Sequence, residues 1–396
     1  MARKNINNKS KVVVFDFPGH PFVHQLTREL SNEDNFEIYH LYNPKQLGPK
    51  SNFLINENEK VIEVSKSFSR NFYKRFFDEI IYCFISIYKI IRIKPDVMIT
   101  SSMPLIPLFF ISLMKYILNF KFIFWVQDII SLATSKILAR KNNPLSKIIS
   151  SLFEWMEFSI VGRSDSIIFI TEDFKKKFKD LIEDKNIYTI PNWGSMDAIK
   201  PEDKVNDFSL QFSLSETFNI MYSGTLGYKH NPDVLLGLSK FLIENNIQAK
   251  LIIVSEGPVV EYLIDKSNEL NLNNIVFLPF QKYSIFSQVL GSSDINLILL
   301  ENDSSDFCVP SKFLSTLCAK RIPIVNVSKE NLVSKIINEN NCGFHVKNQN
   351  ELNETIKEIY FNKDKYSYVA KNGYDYAMQN FNIKKISSKF INIIKS

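Results

Sequence analysis

The segment Phe218–Pro232 combines residue types that favour phosphate binding. The mainly apolar run Asn219–Tyr222 predicts a short strand, and Ser223–Gly227 predicts a glycine-containing turn. The Asn-Pro-Asp sequence at 231–233 predicts the start of a helix. Glycine lets the backbone approach an anion closely, and the free N–H groups of a helix N-terminus point at it. Lys229 adds a positive charge that can reach the same anion. The segment therefore predicts an anion site, and the alternative is an ordinary turn between a strand and a helix.

The composition is that of a globular protein with room for two domains. The 396 residues are 45% hydrophobic and 13% aromatic, which excludes a largely disordered chain. The formal charge of +6 suits small anionic ligands or an anionic membrane surface. We find no arginine-rich face or nucleic-acid motif and expect no nucleic-acid partner. The cysteines lack CxxC spacing, which favours a reducing compartment and argues against a zinc site: Cys83, Cys308, Cys318 and Cys342.

The apolar segments are too short or too interrupted to predict a signal peptide or a spanning helix. The basic N-terminus is followed only by the short run Val12–Phe15. In the most apolar window, Met103–Val126, the uninterrupted part is Pro104–Met114, far shorter than the roughly 20 residues that a spanning helix needs. We therefore expect a cytoplasmic protein.

Strand and helix patterns alternate along the chain in two series. Strands of the first series are predicted at residues 12–15, 36–41, 61–64, 97–100, 122–126, 167–170 and 187–190. Strands of the second series, after the polar segment Lys200–Glu216, are predicted at residues 219–222, 250–254, 275–278, 295–300 and 323–327. Repeated strand–helix units with apolar strands indicate parallel sheets covered by helices on both faces. The predicted fold class is α/β, with two tandem Rossmann-like, doubly wound parallel-sheet domains.

The polar segment places the domain boundary near residue 200. We expect an N-terminal domain over residues 1–199, a C-terminal domain over residues 200–380, and a C-terminal helix within residues 381–396. Two open α/β domains in tandem usually bind ligands where the carboxyl ends of their strands face each other.

Five motifs follow one another along the chain. They are Trp-Val-Gln-Asp ending at Asp128, Ile-Pro-Asn-Trp from Ile190, Tyr-Ser-Gly-Thr-Leu-Gly from Tyr222, Ile-Val-Ser-Glu-Gly-Pro from Ile253, and Val-Pro-Ser-Lys from Val309. In this order the chain resembles the family 4 glycosyltransferases of the GT-B fold, particularly the bacterial branch that builds capsule, O-antigen and colanic-acid polysaccharides. The resemblance implies two domains facing across a cleft, and a C-terminal helix that crosses back onto the N-terminal domain.

The resemblance also implies a nucleotide-sugar donor, held mainly by the C-terminal domain, and no cofactor. We find no carboxylate cluster suited to Mg²⁺, so lysines and backbone N–H groups must meet the charge of the leaving diphosphate without a metal. Lys312 is assigned to this catalytic role, and the alternative for each lysine is a solvated surface charge. Some of the expected donor-contacting residues have a purely structural role in a turn as the alternative. The expected donor contacts are Gly19, Ser223, Gly224, Thr225, Lys229, Ser255, Glu256, Gly257, Pro279, Phe280, Pro310, Ser311 and Lys312.

One departure from the family pattern concerns two glutamates that lie near the sugar and the ribose in classical members. The corresponding positions here hold Cys308 and Thr316. The capsule-type branch often shows Val-Pro-Ser-Lys at this place, and Asp306 is a candidate substitute for the first glutamate. The missing glutamates leave open a catalytically silent partner subunit, and a nucleotide-sugar epimerase of the same fold is a further alternative.

In the N-terminal domain, two loops carry candidate residues. Pro18-Gly19-His20 occupies the first strand–helix loop, where the family often has a glycine-rich turn beside the donor phosphate, so Gly19 is the expected site residue. His24 is expected to be buried and structural. Asp128 follows the fifth predicted strand, where a carboxylate can orient or deprotonate the acceptor hydroxyl. The alternative for Asp128 is a helix N-cap.

The helix-forming segment Arg70–Arg92 combines aromatic residues with Lys74, Arg75 and Lys89, a composition suited to the interface of an anionic bilayer. A packed helix with a basic rim is the alternative. Because family acceptors are often lipid-linked sugars, we expect peripheral contact with the inner face of the anionic plasma membrane.

These inferences predict a metal-independent glycosyltransferase of the hexosyl or N-acetylhexosaminyl type. By resemblance the donor is a UDP-sugar and the enzyme is retaining. The expected acceptor is a glycan or a polyprenyl-diphosphate-linked sugar in bacterial cell-surface polysaccharide biosynthesis.

Overall fold

The structure is a computed structural model that describes residues 9–44, 56–65, 72–139, 144–227, 230–300 and 308–396. The chain divides into two compact units between Asn192 and Trp193, where the sequence prediction set the boundary near residue 200. The second unit ends at Asn382, and the C-terminal residues Ile383–Ser396 belong to the first unit.

The first unit is built on a seven-stranded parallel sheet. Its strands are β1 (Ser10–Phe15), β2 (Phe36–Tyr42), β3 (Glu59–Glu63), β4 (Val97–Thr100), β5 (Lys121–Val126), β6 (Ser166–Phe169) and β7 (Asn186–Thr189). They lie in the order β3-β2-β1-β4-β5-β6-β7. Val12, Val13 and Val14 of the central strand β1 are fully buried, as expected for a sheet covered on both faces.

Helices connect these strands. They are α1 (Pro21–Leu30), α2 (Phe72–Ile93), α3 (Leu105–Leu113), α4 (Lys115–Leu118), α5 (Ile130–Ala139) and α6 (Pro144–Arg163), with a 3₁₀ helix at Glu172–Leu181. None of the helices in the described parts of the chain combines the length and apolarity that crossing a membrane requires.

The second unit repeats the architecture with a six-stranded parallel sheet. Its strands are β8 (Phe218–Ser223), β9 (Ala249–Val254), β10 (Ile275–Leu278), β11 (Ile295–Leu299), β12 (Ile322–Asn326) and β13 (Phe344–His345). They lie in the order β10-β9-β8-β11-β12-β13. The strand order reverses beside β8, as it does beside β1 in the first unit. Such a reversal is where ligands bind in doubly wound sheets.

The helices of the second unit follow its strands and complete the fold. They are α7 (Asp207–Gln211), α8 (Asp233–Glu244), α9 (Pro258–Glu269), α10 (Phe286–Gly291), α11 (Ser311–Cys318), α12 (Leu332–Asn340), α13 (Gln349–Phe361) and α14 (Ser367–Asn380), with 3₁₀ helices at Tyr283–Ile285 and Lys363–Tyr366. The prediction of two doubly wound parallel-sheet domains is confirmed.

The last helix, α15 (Ile383–Lys395), packs on the first unit. The ring of Phe390 is fully buried and lies 4.9 Å from the ring of Trp125 on β5, centroid to centroid. The ammonium of Lys121 donates a hydrogen bond to the carbonyl of Ile393. The prediction that the C-terminal helix crosses back onto the N-terminal domain is therefore confirmed.

Local features differ from the sequence pattern. Neither α5 nor α7 was predicted. The apolar pattern predicts one helix across residues 105–118, which is divided at Met114, and an α-helix at Glu172–Leu181, which is a 3₁₀ helix. The reason for α5 is tertiary. The N–H groups of Ile130 and Ser131, at its N-terminus, donate to the carboxylate of Glu157 on α6, at 2.9 and 3.2 Å. A cap supplied from another helix leaves no local sequence signal.

Candidate functional site

Strand β8 ends in a turn where the backbone of Gly224 lies against the side chain of Lys312. Gly224 has a φ angle of +121°, which residues with a side chain rarely adopt. A Cβ atom at this position would lie only 2.5 Å from Cε of Lys312. Glycine is therefore required both for the backbone conformation and for the close approach of the lysine.

The ammonium of Lys312 is held in place by the same turn. Its Nζ donates to the hydroxyl of Tyr222 at 2.9 Å and to the carbonyl of Thr225 at 3.0 Å. Nζ also lies 4.6 Å from the centroid of the Tyr222 ring, within cation–π range. Burial raises the pKa of Tyr222 far above its usual range, so its hydroxyl stays protonated. The turn thus carries a positioned cation, as the neutralisation of a leaving diphosphate requires.

Lys312 owes its position to helix α11, which begins at Ser311 after Pro310. The N-cap residue, Pro310, makes no side-chain cap hydrogen bond, and the first N–H groups of the helix add a partial positive charge near the ammonium. Pro310 is half-buried and Ser311 is exposed. These two predicted donor residues therefore lie beside Lys312 at the start of one helix.

The ends of β9 and β10 are tied together by the predicted residues Ser255, Glu256 and Phe280. The N–H of Ser255 donates to the carbonyl of Leu278 at 3.0 Å, and Glu256 Oε1 accepts the N–H of Phe280 at 3.0 Å. The Ser255 hydroxyl is buried and forms no hydrogen bond within the described residues, which gives it capacity for a ligand. Gly257, with a φ of +117°, precedes α9.

The remaining predicted residues of this unit lie on the same strand ends. Ser223 closes β8 opposite Val254 of β9. Thr225 and Pro279 are exposed. Lys229, a predicted donor contact, and Asp306, the predicted substitute for a family glutamate, lie outside the described residues.

The positions of the two missing glutamates carry no carboxylate. Thr316 is buried, and its hydroxyl donates to the carbonyl of Lys312 at 2.9 Å within α11. Cys308 is half-buried, and its carbonyl accepts a hydrogen bond from the side-chain amide of Asn331 at 2.9 Å. Both positions therefore make local structural contacts.

Two residues of this site were not predicted from the sequence as functional. Tyr222 positions the lysine, and His230 shapes the turn because its Nδ1 accepts the N–H of Gly227 at 2.8 Å. A signal existed for Tyr222, since a tyrosine at the end of an otherwise apolar buried strand needs a partner for its hydroxyl.

In the first unit, the loop after β1 forms a histidine–carboxylate pair. Gly19 has a φ of +70°, and a Cβ there would lie 2.8 Å from the ring of Tyr42. His20 Nδ1 lies 3.0 Å from Oδ1 of the buried Asp16. Burial alone lowers the pKa of His20, but the charge and hydrogen bond of Asp16, with the charge of Asp128, outweigh it and raise the pKa above 6.5. Sequence reasoning missed Asp16, although a carboxylate ending a central strand was a usable signal.

Asp128, the predicted catalytic carboxylate, is exposed between β5 and α5. The carboxylate of Glu157 already accepts the N–H groups of Ile130 and Ser131 at the start of α5. These two donors are therefore not available for an N-cap interaction with Asp128. Asp128 acts electrostatically on His20, which places two titratable groups of opposite charge in one region of this unit. A base and a carboxylate so arranged are suited to proton transfer with a hydroxyl acceptor.

The chain has two doubly wound parallel-sheet domains, and its C-terminal helix packs on the first of them. This architecture is the GT-B fold of glycosyltransferases. Residues 209–376, within the second unit, match the family described as glycosyl transferases group 1. The chain is 21% identical over 258 residues to WbjE of Pseudomonas aeruginosa, described as a probable glycosyltransferase. That match covers 64% of this chain and 62% of WbjE, so it spans less than two thirds of the relative.

Solved structures show the same fold. HepE of Anabaena in complex with UDP-glucose superposes with a TM-score of 0.70 at 13% identity, over 97% of this chain and 99% of that one. WaaG, a glycosyltransferase involved in lipopolysaccharide biosynthesis, superposes with a TM-score of 0.69 at 12% identity, over 97% and 99% of the two chains. At these identities the likeness establishes the fold. The family match, which covers residues 209–376 and so less than half of the chain, supports a glycosyltransferase of this fold.

Proposed function

We propose that this protein transfers a sugar from a nucleotide-diphosphate sugar to an acceptor hydroxyl. The observation that carries the proposal is the Lys312 ammonium, held by Tyr222 and Thr225 over the Gly224 turn. In this arrangement the diphosphate of the leaving nucleotide lies against the ammonium and the N-terminus of α11. The ammonium stabilises the negative charge that develops as the glycosidic bond breaks.

The donor in this proposal is a UDP-sugar, and the reaction retains the anomeric configuration and needs no metal ion. HepE is similar in fold and was solved with UDP-glucose, which supports uridine as the base. Ser255, Glu256 and Phe280 contact the nucleoside, where the buried hydroxyl of Ser255 is a ready hydrogen-bond partner. Lysine and backbone N–H groups take the place of Mg²⁺ at the diphosphate.

The acceptor in this proposal is a glycan or a polyprenyl-diphosphate-linked sugar of bacterial cell-surface polysaccharide biosynthesis. The likeness to WbjE and to WaaG supports this assignment. The acceptor hydroxyl is oriented or deprotonated by Asp128, with the Asp16–His20 pair as its neighbour. The protein acts at the inner face of the plasma membrane.

The exposed face of α2 supports the membrane contact. Five large apolar side chains recur at helical spacing on this face and are exposed, Phe84 to 70%: Phe77, Ile81, Phe84, Tyr88 and Ile91. Lys74 and Arg92 are exposed on the same helix. An apolar stripe with basic residues matches the interface of an anionic bilayer, where the rings enter the headgroup region and the cations meet lipid phosphates. The side chains of Arg75 and Phe76 lie outside the described residues.

Donor turnover tests the proposed reaction directly. We expect the purified protein to release UDP from one UDP-sugar, slowly in water and faster with a lipid-linked acceptor, and to do so in the presence of EDTA. A parallel panel of GDP- and dTDP-sugars tests the base. Release of no nucleotide from any donor, with or without acceptors, would exclude the transferase.

A second candidate is a catalytically silent partner subunit of the same fold. It is favoured by Thr316, whose hydroxyl is bonded within α11 where classical members have a glutamate. Such a protein would bind UDP without turning over a donor. Calorimetric titration with UDP beside the turnover assay therefore separates the two candidates.

A further inference from the structure

A buried cluster at one edge of the first sheet combines two imidazoles and a carboxylate. His24 lies on α1, His40 on β2 and Glu59 on the edge strand β3, and one donor atom of each lies within 4.8 Å of the others. All three side chains are buried. The cluster belongs to the first unit and uses none of the residues assigned above to the transfer reaction.

The distances within the cluster match those of a metal site. His24 Nδ1 lies 3.4 Å from His40 Nδ1 and 3.7 Å from Glu59 Oε1. Ligand atoms about 2.0–2.1 Å from a tetrahedral Zn²⁺ lie about 3.3 Å apart, because the angle between them is near 109°. The two distances from His24 Nδ1 are therefore close to this separation, and the third pair of donor atoms lies within 4.8 Å.

The environment of the cluster favours a bound cation. All three side chains lie in the interior, where a carboxylate without a counter-charge is costly. A neutral imidazole offers the lone pair that a metal needs, and a cation would offset the cost of the buried carboxylate. The Glu59 Oε2 atom is buried and has no hydrogen bond within the described residues, so it can accept a second bond to a cation.

A neighbouring hydroxyl holds the carboxylate in position. Thr27 Oγ1 donates to Glu59 Oε1 at 2.7 Å and lies 3.5 Å from His40 Nδ1. Hydrogen bonds of this kind orient metal-ligating carboxylates.

We infer that His24, His40 and Glu59 bind one divalent cation, with Zn²⁺ the best fit to two imidazole nitrogens and one carboxylate oxygen. The site is structural, since it joins α1 and the edge strand β3 through β2. It is independent of the proposed transfer reaction and of the diphosphate site.

The test uses the full-length protein without a histidine tag. The protein is stripped with a chelator, titrated with ZnSO₄, passed over a desalting column and analysed for metal. We expect one Zn²⁺ retained per chain and a melting temperature that rises with Zn²⁺ concentration.

Glu59→Gln keeps the size of the side chain and removes its charge, and we expect at least a tenfold weaker Zn²⁺ affinity. His24→Gln should lose retention altogether. His345→Gln, which changes a histidine of the second unit, is the matched control and should bind as the wild type does.

Cobalt substitution in the wild-type protein keeps the test decisive if the variants do not fold. Co²⁺ in this site should give the visible bands of a tetrahedral centre, without the near-ultraviolet thiolate band that a cysteine site would add. Absence of retained Zn²⁺ in the wild type, equal retention by His24→Gln, or a thiolate band would overturn the inference. The cluster would then be a hydrogen-bonded group that shares protons.

Discussion

Lys312 is the residue on which the proposed chemistry depends, and its side chain is fixed by contacts rather than extended into solvent. Nζ bonds Tyr222 and Thr225. Because the ammonium is already positioned, little conformational entropy is lost when a diphosphate binds against it. The proposal therefore predicts that the lysine contributes to transition-state stabilisation as well as to donor affinity.

Replacing Lys312 by alanine tests this role. Loss of a charge-assisted contact that strengthens in the transition state costs about 1.5–3 kcal/mol, or roughly ten- to a hundredfold in kcat/KM. We expect Lys312→Ala to fold normally, bind UDP less tightly and lose turnover even at saturating donor. Lys320→Ala is the control, since Lys320 is exposed just beyond the other end of α11. Full activity of Lys312→Ala at all donor concentrations would refute the phosphate role.

The Asp16–His20 pair gives stability a pH dependence of known sign. The pKa of His20 is raised above 6.5 in the folded protein, so the pair contributes stability below the unfolded pKa and loses it as the pH rises through the folded pKa. We expect the stability difference between wild type and His20→Gln to be largest below the unfolded pKa of about 6.5 and to shrink as the pH rises above it. Urea unfolding at several pH values measures it. A difference that stays constant or grows with pH would contradict the pairing.

At the scale of elements, the turn after β8 depends on the absence of a side chain at Gly224. An alanine there would be strained at a φ of +121° and would displace Lys312. We expect Gly224→Ala to cost about 1–3 kcal/mol of stability and to lower kcat/KM as Lys312→Ala does. Gly162→Ala on α6, where a Cβ would meet nothing within 4 Å, should be neutral or slightly stabilising. Equal effects of the two substitutions would show that the turn has no special requirement for glycine.

Helix α15 packs on the first unit with several buried side chains, among which Phe390 makes an aromatic contact with Trp125. Phe390 is fully buried against Trp125, and a Phe-to-Ala change at such a site costs about 3–5 kcal/mol. We expect Phe390→Ala to lower the denaturant midpoint of the first unit, monitored by tryptophan fluorescence, while UDP binding by the second unit persists. Lys389→Ala, at the exposed neighbouring position, should leave the midpoint unchanged. If both variants unfold alike, the helix does not stabilise the unit through this contact.

At the scale of the whole molecule, the exposed stripe on α2 predicts binding to anionic membranes. We expect the double variant Phe77→Ser and Phe84→Ser to bind anionic vesicles at least tenfold more weakly, because each buried ring contributes roughly 1.5–3 kcal/mol. UDP binding should be unchanged, and wild-type binding should weaken at high salt because the basic residues are screened. Leu210→Ser with Leu270→Ser, both at exposed positions of the second unit, is the control. Parallel loss of UDP binding in the α2 variant would indicate misfolding.

The sequence by itself determined most of the architecture. Buried strands such as β1 and β9 are short, apolar and bounded by turn residues, and this local pattern predicts a parallel sheet because both faces must be covered. The glycine turn at Gly224 and the start of α11 at Ser311 were also local signals, so both were predicted as parts of the donor site.

Only the tertiary structure decided which distant side chains meet. Lys312 reaches Tyr222 because α11 and β8 are neighbours in the sheet architecture, although they are far apart in the chain. Glu157 forms α5 by capping it from α6, and His24, His40 and Glu59 converge from three elements. Contacts of this kind depend on the packing of elements against one another, and hydrophobic periodicity reports which face of an element is buried but not which side chain it will meet there.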